Sequence, residues 1–290
     1  MPVKLSDIEQ ACAYALIQAS TVFSPERVKA YQRAIELETE DNAKWLLEMT
    51  LENSVIAEKK RLPLCDDTGI PYVLIEAGRS AEINGNVAEI IEAVNAGIAA
   101  GLRSLPGRPM AVKGDYRQRV DQSAGLHDDS GMLEPSPLRF KAVDGSNVKI
   151  NVLMLGGGPE IRSRTYRVFH KHDFSLFAEE IASWAVEMAA LLGCTPCVPA
   201  IGVGRTHYEA SCLMLDAMIH GVFGEQSEFE EYITDEVNKS FTGTLGIGGK
   251  ITALQTFAAF GPQRASGVRI VCLRTGCCVE PRKGQVVITA

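Results

Sequence analysis

Through the first 60 positions apolar residues recur at helical spacing, and after that the rhythm changes. Ile8, Ala11, Cys12 and Leu16 fall three to four residues apart, with Ser6 and Glu9 forming a capping-box pair that predicts a helix start. Ser24 followed by Pro25 places a cap residue before a proline at the first helical position. A third helix is predicted over roughly 41–60, with Trp45, Leu46, Met49 and Ile56 on one face. From Leu62 the pattern turns to short apolar runs between polar turns. Tyr72 to Ala77 reads as a strand, and Leu138 to Val143 with Asn147 to Leu155 as a hairpin around Asp144-Gly145. Lys149 and Asn151 alternate with Val148, Ile150 and Val152 at the period of a half-buried strand. Helices are predicted at 87–102, 173–192, 207–220 and 228–240, with strands at 198–203, 268–273 and 285–288. The stretch 105–137 has no period and is rich in Gly, Pro, Asp, Gln and Ser; a loop that long inside a domain is functional or mobile. Helices and strands interleave with antiparallel signals, so the expected class is α+β: a helical lead-in (1–60) packed on a mixed sheet within one domain, the remainder (61–290) carrying the chemistry.

Composition narrows the function classes. The chain has 290 residues, 46% of them hydrophobic and 22% charged, as in ordinary globular proteins. A net charge of −7 argues against nucleic acid, whose phosphates need a clustered Lys/Arg surface. No charged-then-apolar leader and no long apolar run is present, so neither secretion nor membrane insertion is expected, and the cytoplasm is the expected compartment. There, eight cysteines read as reduced thiols.

The cysteines sort by their surroundings. Cys12, Cys212 and Cys272 lie in apolar periodic segments, where a buried thiol behaves as a small hydrophobe. Cys65, the pair Cys194/Cys197 and the pair Cys277/Cys278 lie at turns between elements. A structural zinc site would take two close pairs, for which adjacent Cys277-Cys278 is awkward. A redox Cys-x-x-Cys belongs at a helix start, whereas an apolar strand-like run follows Cys197. The third reading takes one thiolate from each group to hold an iron–sulfur cluster.

The residues around these cysteines resemble one family. Leu62-Pro63-Leu64-Cys65-Asp66-Asp67-Thr68-Gly69 resembles the P-x-C-Q-D-T-G element of class I fumarases and L-tartrate dehydratases. Gly156-Gly157-Gly158-Pro159-Glu160 resembles the family's GGGSE turn. Cys197-Val198-Pro199 with Gly202-Val203-Gly204, and Thr275-Gly276-Cys277-Cys278 with Arg282-Lys283-Gly284, resemble its last two elements, and all four occur in family order.

The resemblance implies a [4Fe-4S] cluster held by Cys65, Cys197 and Cys278, with Cys277 the alternative third ligand. It implies Asp67 as the acid–base group, and Asp66, Thr68, Gly157 and Gly158 as substrate-binding positions. Asp67-Thr68-Gly69 also reads as a plain turn in which Asp caps backbone N–H groups. Two departures stand out. Asp66 replaces the family's glutamine, and an ionised carboxylate only accepts hydrogen bonds and repels a dicarboxylate. The segment from Arg119 to Gly131 lacks the family's R-x-N-T-G-x-N, either as a lineage-specific loop or through altered specificity. The implied activity is that of a hydro-lyase acting on a small 2-hydroxy dicarboxylate. The chain ends soon after the last motif, so the resemblance implies an α-type subunit that dimerises and needs a fumarase-type β subunit for the base. The competing reading is a zinc- or cluster-stabilised interaction subunit without catalysis.

Overall fold

In the computed structural model, which describes residues 2–115, 120–121 and 124–289, most helices fall where the apolar period places them. In chain order the elements are α1 (Leu5–Thr21), α2 (Pro25–Leu37), α3 (Asp41–Lys60), β1 (Ile70–Gly78), α4 (Val87–Ser104), β2 (Arg139–Val143), β3 (Val148–Leu155), the short α5 (Gly157–Glu160), β4 (Arg164–Phe169), α6 (Phe174–Leu192), β5 (Val198–Gly204), α7 (His207–His220), α8 (Glu228–Lys239), β6 (Phe257–Phe260), β7 (Val268–Gly276) and β8 (Arg282–Ile288). The class is α+β, as expected, with two mixed sheets. Ser24 caps α2 by accepting from the Arg27 N–H at 3.2 Å, with Pro25 in the first turn. The start of α1 differs from expectation. The helix begins at Leu5, and Asp7 Oδ2 accepts from the Lys4 N–H at 3.1 Å, so Asp7 does the work foreseen for Ser6 and Glu9.

The chain folds into two compact units. One comprises Met1–Val22, Ser54–Gly156 and Arg282–Ala290; the other comprises Phe23–Asn53 and Gly157–Pro281.

The first unit holds a four-stranded sheet in the order β2-β1-β3-β8. Here the expected hairpin is replaced by a different pairing. β1 lies between β2 and β3, parallel to the former and antiparallel to the latter, with Leu74 opposite both Arg139 and Asn151. The 144–147 turn therefore wraps the end of β1: Gly78 N–H donates to Asn147 O and Arg79 N–H to Val143 O. β1 recruits both neighbours because its apolar run offers two full hydrogen-bonding edges. Helices α1 and α4 pack together, and Ile8, Cys12, Leu16, Val94 and Ile98 join Ile75, Ile150 and Val152 in one core. Asn151 is buried instead of solvated. Its amide donates to Leu74 O and Glu76 Oε2, and its carbonyl accepts from Gln285. A buried amide needs such partners.

The second unit carries the sheet β4-β7-β5-β6. Ile201 and Val203 of β5 pack with Val271 and Leu273 of β7 against Phe177, Ile181 and Ala185 of α6 and Ile233 and Val237 of α8. Val198 joins Ala30 of α2, Ala217 of α7 and Phe257 in a separate cluster. Strands β4 and β6 were not legible as strands: β4 reads as a run of arginines, and β6 is four residues long. Within α3 the apolar face also differs from expectation. Ala43, Leu47, Ser54 and Ala57 are buried, while Trp45, Met49 and Ile56 are exposed. Among the described residues no helix is long and apolar enough to cross a membrane.

Glu38, at the end of α2, organises the glycine-rich segment that follows α8. Its carboxylate accepts from the N–H groups of Thr39, Glu40, Lys250 and Ile251 at 2.8–3.1 Å. Burial opposes ionisation, but these backbone donors outweigh it and hold the carboxyl below its ordinary value. A carboxyl with a depressed folded pKa stabilises above the unfolded value of about 4.3 and ceases to do so as pH falls through the folded one. Glu38→Gln is therefore expected to destabilise by about 1–3 kcal/mol at neutral pH. It should also weaken the loss of stability below about pH 4, read from urea unfolding across pH.

Gly284 tests the packing of the first unit. A Cβ there would lie 1.9 Å from Ala15 O, so β8 and α1 approach only through glycine. Gly284→Ala is expected to cost about 1–3 kcal/mol of unfolding free energy in the same assay.

Candidate active site

Each unit presents part of the predicted site. In the first, the turn ahead of β1 carries Cys65, Asp66, Asp67 and Thr68. Asp67 Oδ1 accepts from the Gly69 N–H at 3.0 Å, closing an Asx turn that fixes the carboxyl beside the cysteine. Gly69 sits at φ +84, and a Cβ on it would come within 2.5 Å of Arg282 Nη2. Only glycine accepts both the left-handed backbone and that approach. Arg282, at the start of β8, is buried. It donates from Nη1 to Asp67 O at 2.7 Å and from Nε to Met154 O at 2.9 Å, stapling the turn to β3.

Cys65 is partly exposed, and its Sγ lies 3.5 Å from Asp66 Oδ1. Asp66 is exposed, with Arg108 Nη1 3.8 Å from its Oδ2. Thr68 is buried and donates its hydroxyl to Arg108 O at 2.7 Å. It thus anchors the backbone that carries Arg108, a cation the sequence reading passed over. In the altered 119–131 segment, Arg119, Gln122 and Ser123 lie outside the described residues, while Asp129 receives a bidentate Arg103.

The second unit gathers four thiols. Cys194 and Cys197 flank the cis Thr195-Pro196 bond ahead of β5, and Cys277 and Cys278 follow β7. Cys278 N–H donates to Cys194 O at 2.8 Å, which ties the two segments together. Cys197 is fully buried, its backbone bonded on both sides to the 252–254 strand-like segment. Burial pushes its thiol up to about 12, with the nearby Cys277 adding to the shift. Cys278 is raised well above the ordinary thiol range, first by its hydrogen bond with Cys277, then by burial and by the charges of Cys277 and Cys194. None of the eight cysteines is in a disulfide; Cys12 and Cys272 are buried as expected, and Cys212 is partly buried.

The turn carrying Cys278 rests on charged side chains. Arg274, on β7, is fully buried and grips Glu280 with a two-pronged bond, Nε to Oε2 and Nη2 to Oε1, both 3.0 Å. Its Nη1 reaches Glu160. Glu160 ends the glycine turn, whose Gly158 has open space where a side chain would stand. Gly157 is exposed beside it. Arg162 closes the same turn by donating to Gly158 O and Leu191 O. From α2, Arg27 and Tyr31 reach the carbonyls of the cysteine turn. Neither was foreseen as a site residue, since both lie in the segment read as a lead-in. The available signal was Arg27 and Tyr31 four residues apart on α2, in line with Ala30 and Ala34.

The donor set fits a thiolate-bound metal cluster. The four thiols are soft ligands, and coordination would deprotonate Cys197 and Cys278, whose thiols are otherwise held up in part by burial. Among the described residues no three or more His, Cys, Asp or Glu side chains stand close enough to hold a single metal ion. Ligand sulfurs around a four-iron core stand further apart than those around one ion.

Known proteins place this chain. The family model described as fumarate hydratase (Fumerase) matches residues 9–287. A Methanocaldococcus jannaschii protein named "Putative L(+)-tartrate dehydratase subunit alpha" is 27% identical over 96% of this chain and 94% of its own length. Fumarate hydratase 2 of Leishmania major is 26% identical over 80% of this chain and 42% of its own. The anaerobic class I fumarate hydratase of Escherichia coli is 25% identical over 74% of this chain and 40% of its own. The chain thus spans less than half the length of those two fumarate hydratases. With the family model running from residue 9 to residue 287, the chain belongs to the fumarate hydratase (Fumerase) family of hydro-lyases.

Proposed function

We propose that this chain is the iron–sulfur α-type subunit of a hydro-lyase acting on a small 2-hydroxy dicarboxylate, either the malate/fumarate pair or tartrate going to oxaloacetate. The observation that carries the reading is the meeting of Cys194, Cys197, Cys277 and Cys278 in the second unit, a soft-ligand patch without a disulfide, in a chain of this family. Cys65, Cys197 and Cys278 are the proposed ligands of a [4Fe-4S] cluster, with Cys277 the alternative third. A cluster with three protein thiolates supplies an iron with an open position, a Lewis acid toward substrate oxygen.

The chain's own residues do the rest. Asp67, oriented by its bond to the Gly69 N–H, gives or takes the hydroxyl proton at its carboxyl. Gly158, with open space where a side chain would stand, and Gly157 beside it are the proposed contacts for a substrate carboxylate. Asp66 accepts from the substrate hydroxyl, while Arg108 beside it offsets the repulsion a second carboxylate would feel. Thr68 contributes by holding the Arg108 backbone in place.

A β-type subunit completes the site with the base and further cations. The family membership and the name "subunit alpha" on the Methanocaldococcus jannaschii relative support this. Exposed Trp45, Met49 and Ile56 on α3 give apolar surface for a partner chain, either the β subunit or a second α chain. The composition and reduced thiols support a cytoplasmic location.

Anaerobically purified protein is expected to be brown and to contain close to four iron and four sulfide per chain. Cys65→Ser, Cys197→Ser and Cys278→Ser should each lose the cluster, whereas Cys212→Ser should keep it. Colourless protein with stoichiometric zinc would overturn the hydro-lyase reading in favour of a non-catalytic, zinc-stabilised subunit. Retention of the cluster by Cys278→Ser but not by Cys277→Ser would move the third ligand.

Asp67→Asn separates chemistry from folding, because an amide oxygen still accepts from the Gly69 N–H. Its thermal midpoint and iron content should match the wild type, while turnover of malate or tartrate with the β-type subunit falls by about 10²–10⁴-fold. Equal turnover would remove Asp67 from the mechanism.

A further inference from the structure

Arg27 is 2% exposed, and four hydrogen bonds from it end on four consecutive carbonyl oxygens. Nη2 donates to Cys278 O at 2.6 Å and Glu280 O at 2.8 Å; Nη1 donates to Val279 O at 2.8 Å and Pro281 O at 3.1 Å. Tyr31 OH, one helical turn along α2, donates to the same Cys278 carbonyl at 2.6 Å. The rings of Phe23 and Phe223 stand 4.2 and 5.3 Å from the guanidinium carbon, covering it from water.

Neutral donors could satisfy four carbonyls. A guanidinium brings in addition a full positive charge, whose desolvation costs several kcal/mol unless negative charge answers it. Glu280, a carboxylate whose charge reaches Arg27, is shared with Arg274, which also holds Glu160, so two arginines and two carboxylates stand together here. The other ionisable groups that act on Arg27 are Tyr31, Cys277 and Cys278. A tyrosine is neutral at physiological pH. Through the Cys278 carbonyl the guanidinium also stands beside a proposed ligand of the iron–sulfur cluster, which with its thiolates would be anionic.

We propose that Arg27 is a positioning residue of the cluster site: its fork fixes the Cys278 turn, and its charge stabilises the reduced cluster. The proposal rests on the cluster reading given above. Positive charge close to a cluster favours the more negative, reduced state, so removing it should lower the reduction potential.

The test uses the full-length chain, reconstituted anaerobically with iron and sulfide. Iron content, the thermal midpoint and an EPR-monitored redox titration are measured for wild type, Arg27→Lys, Arg27→Gln and Tyr31→Phe. Arg27→Gln keeps amide donors but loses the charge. Its ratio of reduced to oxidised cluster at a fixed poise should fall at least tenfold, a shift of about 59 mV for one electron. Arg27→Lys keeps the charge without the fork and should stay within about threefold of the wild type, or about 28 mV by the same conversion. Tyr31→Phe, which alters no charge, should leave the potential unchanged.

If Arg27→Gln folds and matches the wild-type potential, Arg27 is only structural and the proposal fails. If Arg27→Gln does not fold, Arg27→Lys decides: a tenfold or larger fall there overturns the role of charge. A wild-type chain that takes up no cluster overturns this proposal together with the reading it rests on. A wild-type cluster insensitive to all three substitutions overturns this proposal alone.

Discussion

Four successive carbonyl oxygens, from Cys278 to Pro281, converge on one guanidinium, and much of the second unit is arranged so that they do. A turn folded into the interior must find donors for its carbonyls, and here Arg27 supplies them. Arginine is the one side chain with enough fixed donors to serve four acceptors at once. Placing it there determines more structure around it. Phe23 and Phe223 must cover its faces, α2 must present Arg27 and Tyr31 on one side, and Glu280 must be neutralised by a second arginine from β7. The helix foreseen only as a lead-in is thereby part of the wall behind the cysteines.

The first unit uses the same device on a smaller scale. Arg282 takes the carbonyls of Asp67 and Met154, so the acidic turn is held from behind by backbone contacts. Asp67 serves two ends at once. Its bond to the Gly69 N–H is what a turn needs, and the same bond orients a carboxyl next to a cysteine. The turn reading and the chemical reading of these residues are therefore compatible: the turn supplies the preorganisation that acid–base work requires.

Local signals were the legible part of this fold. The proline-followed cap of α2, the limits of α3, the later helices and the apolar strands all follow from periods and caps within a few residues. What the sequence hid depends on partners far along the chain. The 138–155 region has every local mark of a hairpin, yet β1 intervenes, because a strand with two good edges competes for both neighbours. Asn151 looks solvated by alternation and is buried, because Gln285 and Glu76 satisfy it from other strands. Arg27 has the look of a solvated charge on an amphipathic helix, and only the carbonyls 250 residues away make it a core residue. The cysteines themselves were legible through the motifs around them. Their mutual proximity was not, since it rests on the bond from Cys278 N–H to Cys194 O.

That last bond also distinguishes the surroundings of the two adjacent cysteines. A ligand thiolate must be held where the metal needs it, and the backbone does most of the holding. The Cys278 residue is fixed at both of its backbone groups. Its N–H is taken by Cys194 O, and its carbonyl is shared by Arg27 and Tyr31. Cys277 instead packs in part against the apolar cluster that also contains the buried Cys197. Counting along the sequence left the two cysteines nearly equivalent. The backbone treats them differently, because Arg27 and Tyr31 both donate to the carbonyl of Cys278.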